Sequence, residues 1–207
     1  TLKNRINSYL EYQLKALEIA GHSLKRLANP FVTISRQMGA GGITIGEKLT
    51  EFLRKNDNAA GASWTVFDKN LVAKVLEEHN LPKRFAELMP EDKIPGVEEF
   101  VEELYDLRPS DEALLQKTSQ TIFHLAQLGN SVLVGRGANI ITHKLPHGLH
   151  VRLIGSYEKR VPHIEDYYKF NHARAVDFVK SGDEGRKKYL KHYFQKNIDD
   201  PLLYDLV

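Results

Sequence analysis

Residues 31–46 read FVTISRQMGAGGITIG: an apolar, β-branched run, a glycine-dense turn, and then a segment of helical character. Phe31, Val32, Thr33 and Ile34 suit a buried strand, and Gly39, Gly41 and Gly42 let the backbone turn sharply and aim its N–H groups inward. An anion held there would meet those donors and the positive end of the following helix dipole, so the stretch predicts a phosphate-binding turn. Set against the pattern G-x-x-x-x-G-K-[ST] with Gly41 as the second glycine, the turn departs at three places. Arg36 stands at the first glycine, Gly42 at the lysine and Ile43 at the hydroxyl residue, with Thr44 one place later. A tight strand-to-helix connection without a ligand is the alternative that this stretch alone leaves open.

The chain has 207 residues, 42% of them hydrophobic, which suffices for one good core and suggests a single α/β domain with appendages. A net charge of only +2 with 27% charged residues argues for neither a nucleic-acid nor a membrane surface. No apolar run approaches the ~20 residues that span a bilayer, and no signal peptide is visible, so a cytoplasmic location is expected. With no cysteine, disulfides and thiolate metal sites are excluded, and the nine histidines form no H-E-x-x-H pair or similar ligand spacing. Thr1 at the start and an apparent strand running into Val207 suggest a sequence incomplete at both ends.

Leu10, Leu14, Leu17, Leu24 and Leu27 recur at helical spacing until Pro30, which separates an amphipathic helical segment, residues 1–30, from the domain expected over residues 31–207. Such a helix caps the core or packs on a partner chain, which would allow a homo-oligomer. A second strand is expected at 64–67 and a helix from Lys69 to about Glu78. Pro82, Pro90, Pro95 and Gly96 then break the chain before an acidic run, Glu98, Glu99, Glu102, Glu103 and Asp106, that reads as a solvated helix face. Ser110 with Asp111 and Glu112 looks like a helix start, and Gly129 ends the periodicity after Leu128. Strands are expected at 131–134, 150–154 and 203–207. Short apolar strands alternating with helices imply a parallel sheet covered on both faces, whose ligand site lies beyond the carboxyl ends of the strands.

Four exits reach that edge: Ser35, Arg36 and Gln37 before the glycine turn; Asp68 and Lys69; Gly135, Arg136 and Gly137; Gly155 and Ser156. An arginine between two glycines can grip a phosphate or carboxylate while the ligand approaches the backbone; pairing with an internal carboxylate such as Asp68 is the other reading. From Ser156 onward the chain reads as helical and basic, with Lys159, Arg160, Arg174, Lys180, Arg186, Lys187, Lys188 and Lys191. Arginines that close over a transferred phosphoryl group would use this character. Asp183 and Arg186, three apart, share a helix face, as an orienting pair or a surface ion pair.

Three pieces in this order, ISRQMGAGGITIG, VLVGRGANII and the terminal run from Asp183 through DDPLLYDLV, make the chain resemble the cytidylate kinase-like family of bacterial P-loop proteins over roughly residues 31–207. The resemblance implies a P-loop NTPase fold with a five-stranded parallel sheet, helices on both faces and a mobile helical lid between strands four and five. It implies transfer of the terminal phosphate of ATP to a nucleoside monophosphate, with Mg2+ carried by the nucleotide. The triphosphate would lie on Gly39, Ala40, Gly41, Gly42, Ile43 and Thr44. Asp68 matches the acidic residue that opens the monophosphate-binding segment, Lys74 falls where an arginine meets the acceptor phosphate, and Arg136 matches the arginine of a D-G-R-D element. Arg160 would begin the lid, and Asp183 with Arg186 resembles its D-x-x-R. Val134 and Gly137 replace both aspartates of D-G-R-D, and Gly42 replaces the lysine that bridges the terminal phosphates. Arg36, beside the turn, is the candidate to supply that charge. A non-catalytic nucleotide-binding or regulatory module is the competing expectation.

Overall fold

The computed structural model describes residues 29–56, 64–68 and 111–207. Four strands, β1 (Phe31–Arg36), β2 (Thr65–Phe67), β3 (Ser131–Val134) and β4 (Gly148–Leu153), form a parallel sheet in the order β2-β3-β1-β4. The helices are α1 (Gly42–Asn56), α2 (Asp111–Leu128), α3 (Ala138–Ile141), α4 (Tyr157–Tyr168) and α5 (His172–Phe194). The helix expected within residues 1–30, the one at 69–78, Lys74 and the acidic run all lie outside the described residues. Among the described residues, no helix is long and apolar enough to cross a membrane.

The period-two alternation of each strand distributes the core over both faces of the sheet. Val32, Ile34, Val66, Val132 and Val134 pack with Trp64 and with Leu49 and Leu53 of α1. Phe31, Phe67 and Leu133 face the other way, against Ile122, Leu125 and Ala126 of α2 and Ala138 of α3. Each such side chain contributes about 1.5–3 kcal/mol when fully buried, which holds helices on both faces of a sheet with no disulfide to help. Helix α1 buries Gly42, Gly46 and Thr50, small residues one turn apart. A Cβ added at Gly46 would lie 3.5 Å from Val132 and Val66 side chains, so α1 sits close on the sheet with its amino end at the carboxyl edge.

Strand boundaries move from their sequence expectation: β2 begins at Thr65 and not at 64, and β4 spans Gly148–Leu153 and not 150–154. Strand β1 continues through Ser35 and Arg36, because both stay in parallel register with Arg152 and Leu153 of β4. Arg36 therefore leaves from the strand and not from the turn. The sheet of the described residues has four strands and not five: the run expected to form a strand at 203–207 makes one parallel bridge, between Val151 and Leu206. Asp200 accepts from the Leu202 N–H at 3.0 Å, and Pro201, with φ preset and no N–H, opens a 3-10 turn, Pro201–Leu203, that takes up the first residue of the expected strand.

His150 is buried on β4, with Nδ1 2.8 Å from the Thr33 hydroxyl and its ring edge-on to Phe31. Burial lowers its pKa from the ordinary 6.5 and the neighbouring His143 adds to this, while Asp205 opposes the shift. Since the folded protein binds this proton less readily than the unfolded chain, stability is full above about pH 6.5 and declines as the pH falls toward the lowered folded value. Melting temperature followed from pH 8 to pH 5 should drop in the parent through that window, and His150→Asn should flatten the drop; identical profiles would refute the assignment.

Candidate functional site

The glycine turn opens at the carboxyl end of β1, the strand flanked on both sides. Its entry is fixed from β4: the Gln37 N–H donates to the Leu153 carbonyl at 2.9 Å, and the Gln37 side-chain carbonyl accepts from the Gly155 N–H at 3.0 Å. Gly39 and Gly41 then adopt φ of +79° and +74°, a region that disfavours residues bearing a Cβ. The first helical bond of α1 runs from the Ile45 N–H to the Gly41 carbonyl at 2.9 Å. The N–H groups of Gly42, Ile43 and Thr44 thus precede the helical ladder and mark the positive end of α1, with Ile43 and Thr44 exposed. A Cβ at Gly42 would come 2.9 Å from Cγ of Arg36, so the arginine's stem runs where a side chain at position 42 would begin.

Helices α4 and α5 grip this turn through the backbone N–H and carbonyl of Met38. The Met38 N–H donates to Oδ1 of Asp183 at 2.6 Å, and the Met38 carbonyl accepts from Nη1 of Arg160 at 2.9 Å. The same Arg160 nitrogen lies 2.6 Å from Oδ2 of Asp183, while its Nε donates to the Gly155 carbonyl at 2.9 Å. His163, one turn further along α4, lies with Nδ1 2.7 Å from the Gly39 carbonyl, and a Cβ at Gly39 would meet the Arg160 carbonyl at 2.6 Å. Met38 itself enters the apolar cluster of Val161, Ile164, Ala175 and Val179 between the two helices. Arg186 is buried with Nη1 3.7 Å from Asp183 and Nη2 3.6 Å from the Met38 sulfur. Arg160, Asp183 and Arg186, separated from the turn by more than a hundred residues, are all brought to it.

Beside the turn lies a cavity of about 60 Å³ whose walls include Arg36, Asp183, Arg186, Arg152, Lys187 and Asp199. The last three were not among the sequence candidates. Arg152 is buried on β4, donating from Nη1 to the Ser35 hydroxyl at 3.0 Å and from Nη2 to Asp199 Oδ1 at 3.3 Å. Lys187 Nζ reaches the other Asp199 oxygen at 3.0 Å, a contact that raises the lysine pKa. Tyr204 closes this corner, its hydroxyl donating to the Ile198 carbonyl at 2.8 Å; burial raises its pKa. The signal in the sequence was Arg152 itself, a charge in the middle of the apolar run HVRLI.

The remaining candidates sit on neighbouring exits. Arg136 is buried, with φ of +55° between Gly135 at +85° and Gly137 at +70°; the left-handed conformation costs a non-glycine residue about 1–2 kcal/mol. The Gly135 N–H donates to the Ile34 carbonyl at 3.0 Å, which sets this exit against β1. Arg136 is not among the cavity's lining residues. Asp68 follows β2, two strands away from β1 in the sheet order.

Asp183→Ala would remove the Met38 N–H acceptor and the Arg160 counter-charge together. Because Arg160 retains two carbonyl acceptors, the expected loss is on the order of 2–3 kcal/mol. Urea unfolding should show it, and a loss below about 0.5 kcal/mol, the range of ordinary surface substitutions, would contradict a structural clamp.

The family model of the cytidylate kinase-like family matches residues 31–207. Among solved structures, the chain is similar to an uncharacterized protein from Eubacterium ventriosum, at 18% identity with a TM-score of 0.60, over 86% of each chain. It also aligns with a shikimate kinase from Bacteroides thetaiotaomicron, at 15% identity with a TM-score of 0.44, over 79% of this chain and 82% of that one. No curated protein matches the sequence. The first of these likenesses shares the fold, and the family match spans the whole sheet with the turn, both gripping helices and the cavity: the chain belongs to the cytidylate kinase-like family.

Proposed function

We propose that the chain is a phosphotransferase that moves the terminal phosphate of ATP to a nucleoside monophosphate. One observation carries the reading: Arg36, whose stem lies against Gly42 at the N-terminus of α1, walls a cavity together with Arg186, so cationic groups gather at the strand edge from which the glycine turn leaves. Such a donor set suits phosphate oxygens, and it is the chemistry phosphoryl transfer needs, since charge spreads over the transferred group and little covalent assistance is required.

In this reading the turn Gly39–Thr44 holds the polyphosphate, the Ala40 N–H on leaving the Gln37 carbonyl to which it donates at 3.2 Å, and Mg2+ carried by the nucleotide would neutralise its oxygens. An oxygen of the acceptor's phosphate bonds to the terminal phosphorus as the bond to the bridging oxygen breaks, leaving ADP. Arg36 and Arg186 stabilise the charge on the group in transit. Arg160 and Asp183 are positioning residues that shape the turn through Met38. Arg136, Asp68 and Lys74 serve the acceptor. Arg36, whose stem crosses Gly42, supplies the charge that a lysine there would bring. The enzyme unit is residues 31–207, the leucine-rich segment before it serves a partner or a second copy, and the setting is cytoplasmic.

A coupled assay of ATP, magnesium and a panel of nucleoside monophosphates should yield ADP above the blank. Arg186→Ala should cut turnover about 10²- to 10³-fold, the range for removing one electrostatic donor. Arg36→Ala should lower turnover in the same direction, whereas unchanged affinity and turnover would remove Arg36 from the site. A specific feature supports a second reading, a non-catalytic nucleotide-binding module: Asp183 already occupies the Met38 N–H of a turn that has no lysine. Saturable ATP binding with no ADP formed across the panel would select it.

A further inference from the structure

The Arg152–Asp199–Lys187 cluster is not accounted for by the glycine turn: Arg152 lies outside the three family pieces, and Lys187 and Asp199, inside the terminal one, carry no role in the proposed reaction. Arg152 is 4% exposed on a central part of the fold, and its guanidinium is directed to the cavity between the β1–β4 edge and α5. The cavity's titratable walls are four cations, Arg36, Arg152, Arg186 and Lys187, against two carboxylates, Asp183 and Asp199. Asp183 is engaged with Met38, Arg160 and Arg186, and the walls carry two more cations than carboxylates. Asp199 bridges the remaining pair, one oxygen to Arg152 at 3.3 Å and the other to Lys187 at 3.0 Å.

We infer that this cavity is a phosphoryl subsite beside the glycine turn, with Arg152 as its floor and Lys187 at its rim, in which the Asp199 carboxylate stands in for the anion. Two oxygens of a phosphate would reproduce what the two oxygens of Asp199 do. The exchange is mechanically open: Asp199 is 45% exposed on the segment after α5 and can swing to solvent, whereas Arg152 is held by Ser35 and the strand. At about 60 Å³, where one water needs roughly 10–15 Å³, the cavity has room for a tetrahedral oxyanion. A guanidinium and an ammonium together suit a dianionic phosphate better than a carboxylate. The inference rests on the phosphotransfer reading only for which phosphate enters, the acceptor's or the one in transit.

Inorganic phosphate titrated into the full chain, followed by amide chemical shifts, should bind saturably. Lys187→Met should weaken it about tenfold, the loss of one charge-assisted contact, and Asp199→Asn should tighten it by a similar factor. Both positions are half exposed, so both variants should fold, which thermal melts verify. A merely structural ion pair would lower the melting temperature of both variants and leave phosphate affinity unmoved. Either that result or no saturable binding by the parent overturns the subsite. Displacement of bound phosphate by CMP but not by ATP identifies the acceptor's phosphate as occupant; displacement by ATP alone identifies the donor's. ADP formation is scored separately: a phosphate site without turnover refutes the kinase reading and keeps the subsite, and turnover with unmoved phosphate affinity does the reverse.

Discussion

Met38 presents a backbone N–H and a backbone carbonyl that are held by two different helices. Asp183 of α5 takes its N–H and Arg160 of α4 takes its carbonyl, and the two side chains bind each other at 2.6 Å. An ion pair this buried is seldom a net gain by itself, because desolvation offsets the attraction. Here the carboxylate and the guanidinium are also satisfied by backbone, which turns a costly pair into an anchor. Gly39 follows from the same contact, since the Arg160 carbonyl lies where its Cβ would be. The shape of the turn and the seating of α4 and α5 therefore form and fail together.

That coupling decides how the charges at the carboxyl edge are distributed. Position 42 carries no side chain, and Arg36 fills the adjoining space from the end of β1. The cationic groups come from β1, β4 and α5, so the cavity has charge on three sides without a lysine in the turn. A lysine added at 42 would have to displace the Arg36 stem first. Gly42 and Arg36 are better understood as one exchanged pair than as two separate departures from the G-x-x-x-x-G-K-[ST] pattern.

Much of this was legible in the sequence where it was encoded locally. The strand-turn-helix order of residues 31–46, the end of α2 at Gly129 and the arginine between Gly135 and Gly137 each depend on neighbours a few residues apart. The Gly129 N–H indeed bonds back to the Leu125 and Ala126 carbonyls, as a helix end requires. The pairing of Asp183 with Arg186, three residues on, was legible, but the Met38 contacts of Arg160 and Asp183 were not, because Met38 lies over a hundred residues away and backbone groups carry no sequence signature. Arg152 was missed for a related reason: in a strand, period two sets the face of a side chain but not whether that face meets solvent or a cavity. The expected fifth strand failed where Asp200 and Pro201 impose a turn that outweighs the β-propensity of the residues after it.

Helix α5 unites these observations. It carries Asp183 toward the turn and Lys187, one helical turn later, toward the cavity, with Arg186 between them, and the segment leaving it carries Asp199. Each carboxylate is a bridge, Asp183 between the Met38 N–H, Arg160 and Arg186, Asp199 between the two cations Arg152 and Lys187. Asp183 is 22% exposed and tied into the turn; Asp199 is 45% exposed and tied to cations alone. The first is therefore expensive to displace and fits a fixed role in shaping the backbone. The second is more readily released, since its pair with Lys187 is exposed and gains only about 0–1 kcal/mol, and an incoming phosphate replaces both of its contacts, that to the buried Arg152 included. The same α5 face thus separates a permanent carboxylate from an exchangeable one, and that division places anion exchange at the cavity and leaves the turn's geometry intact while it happens.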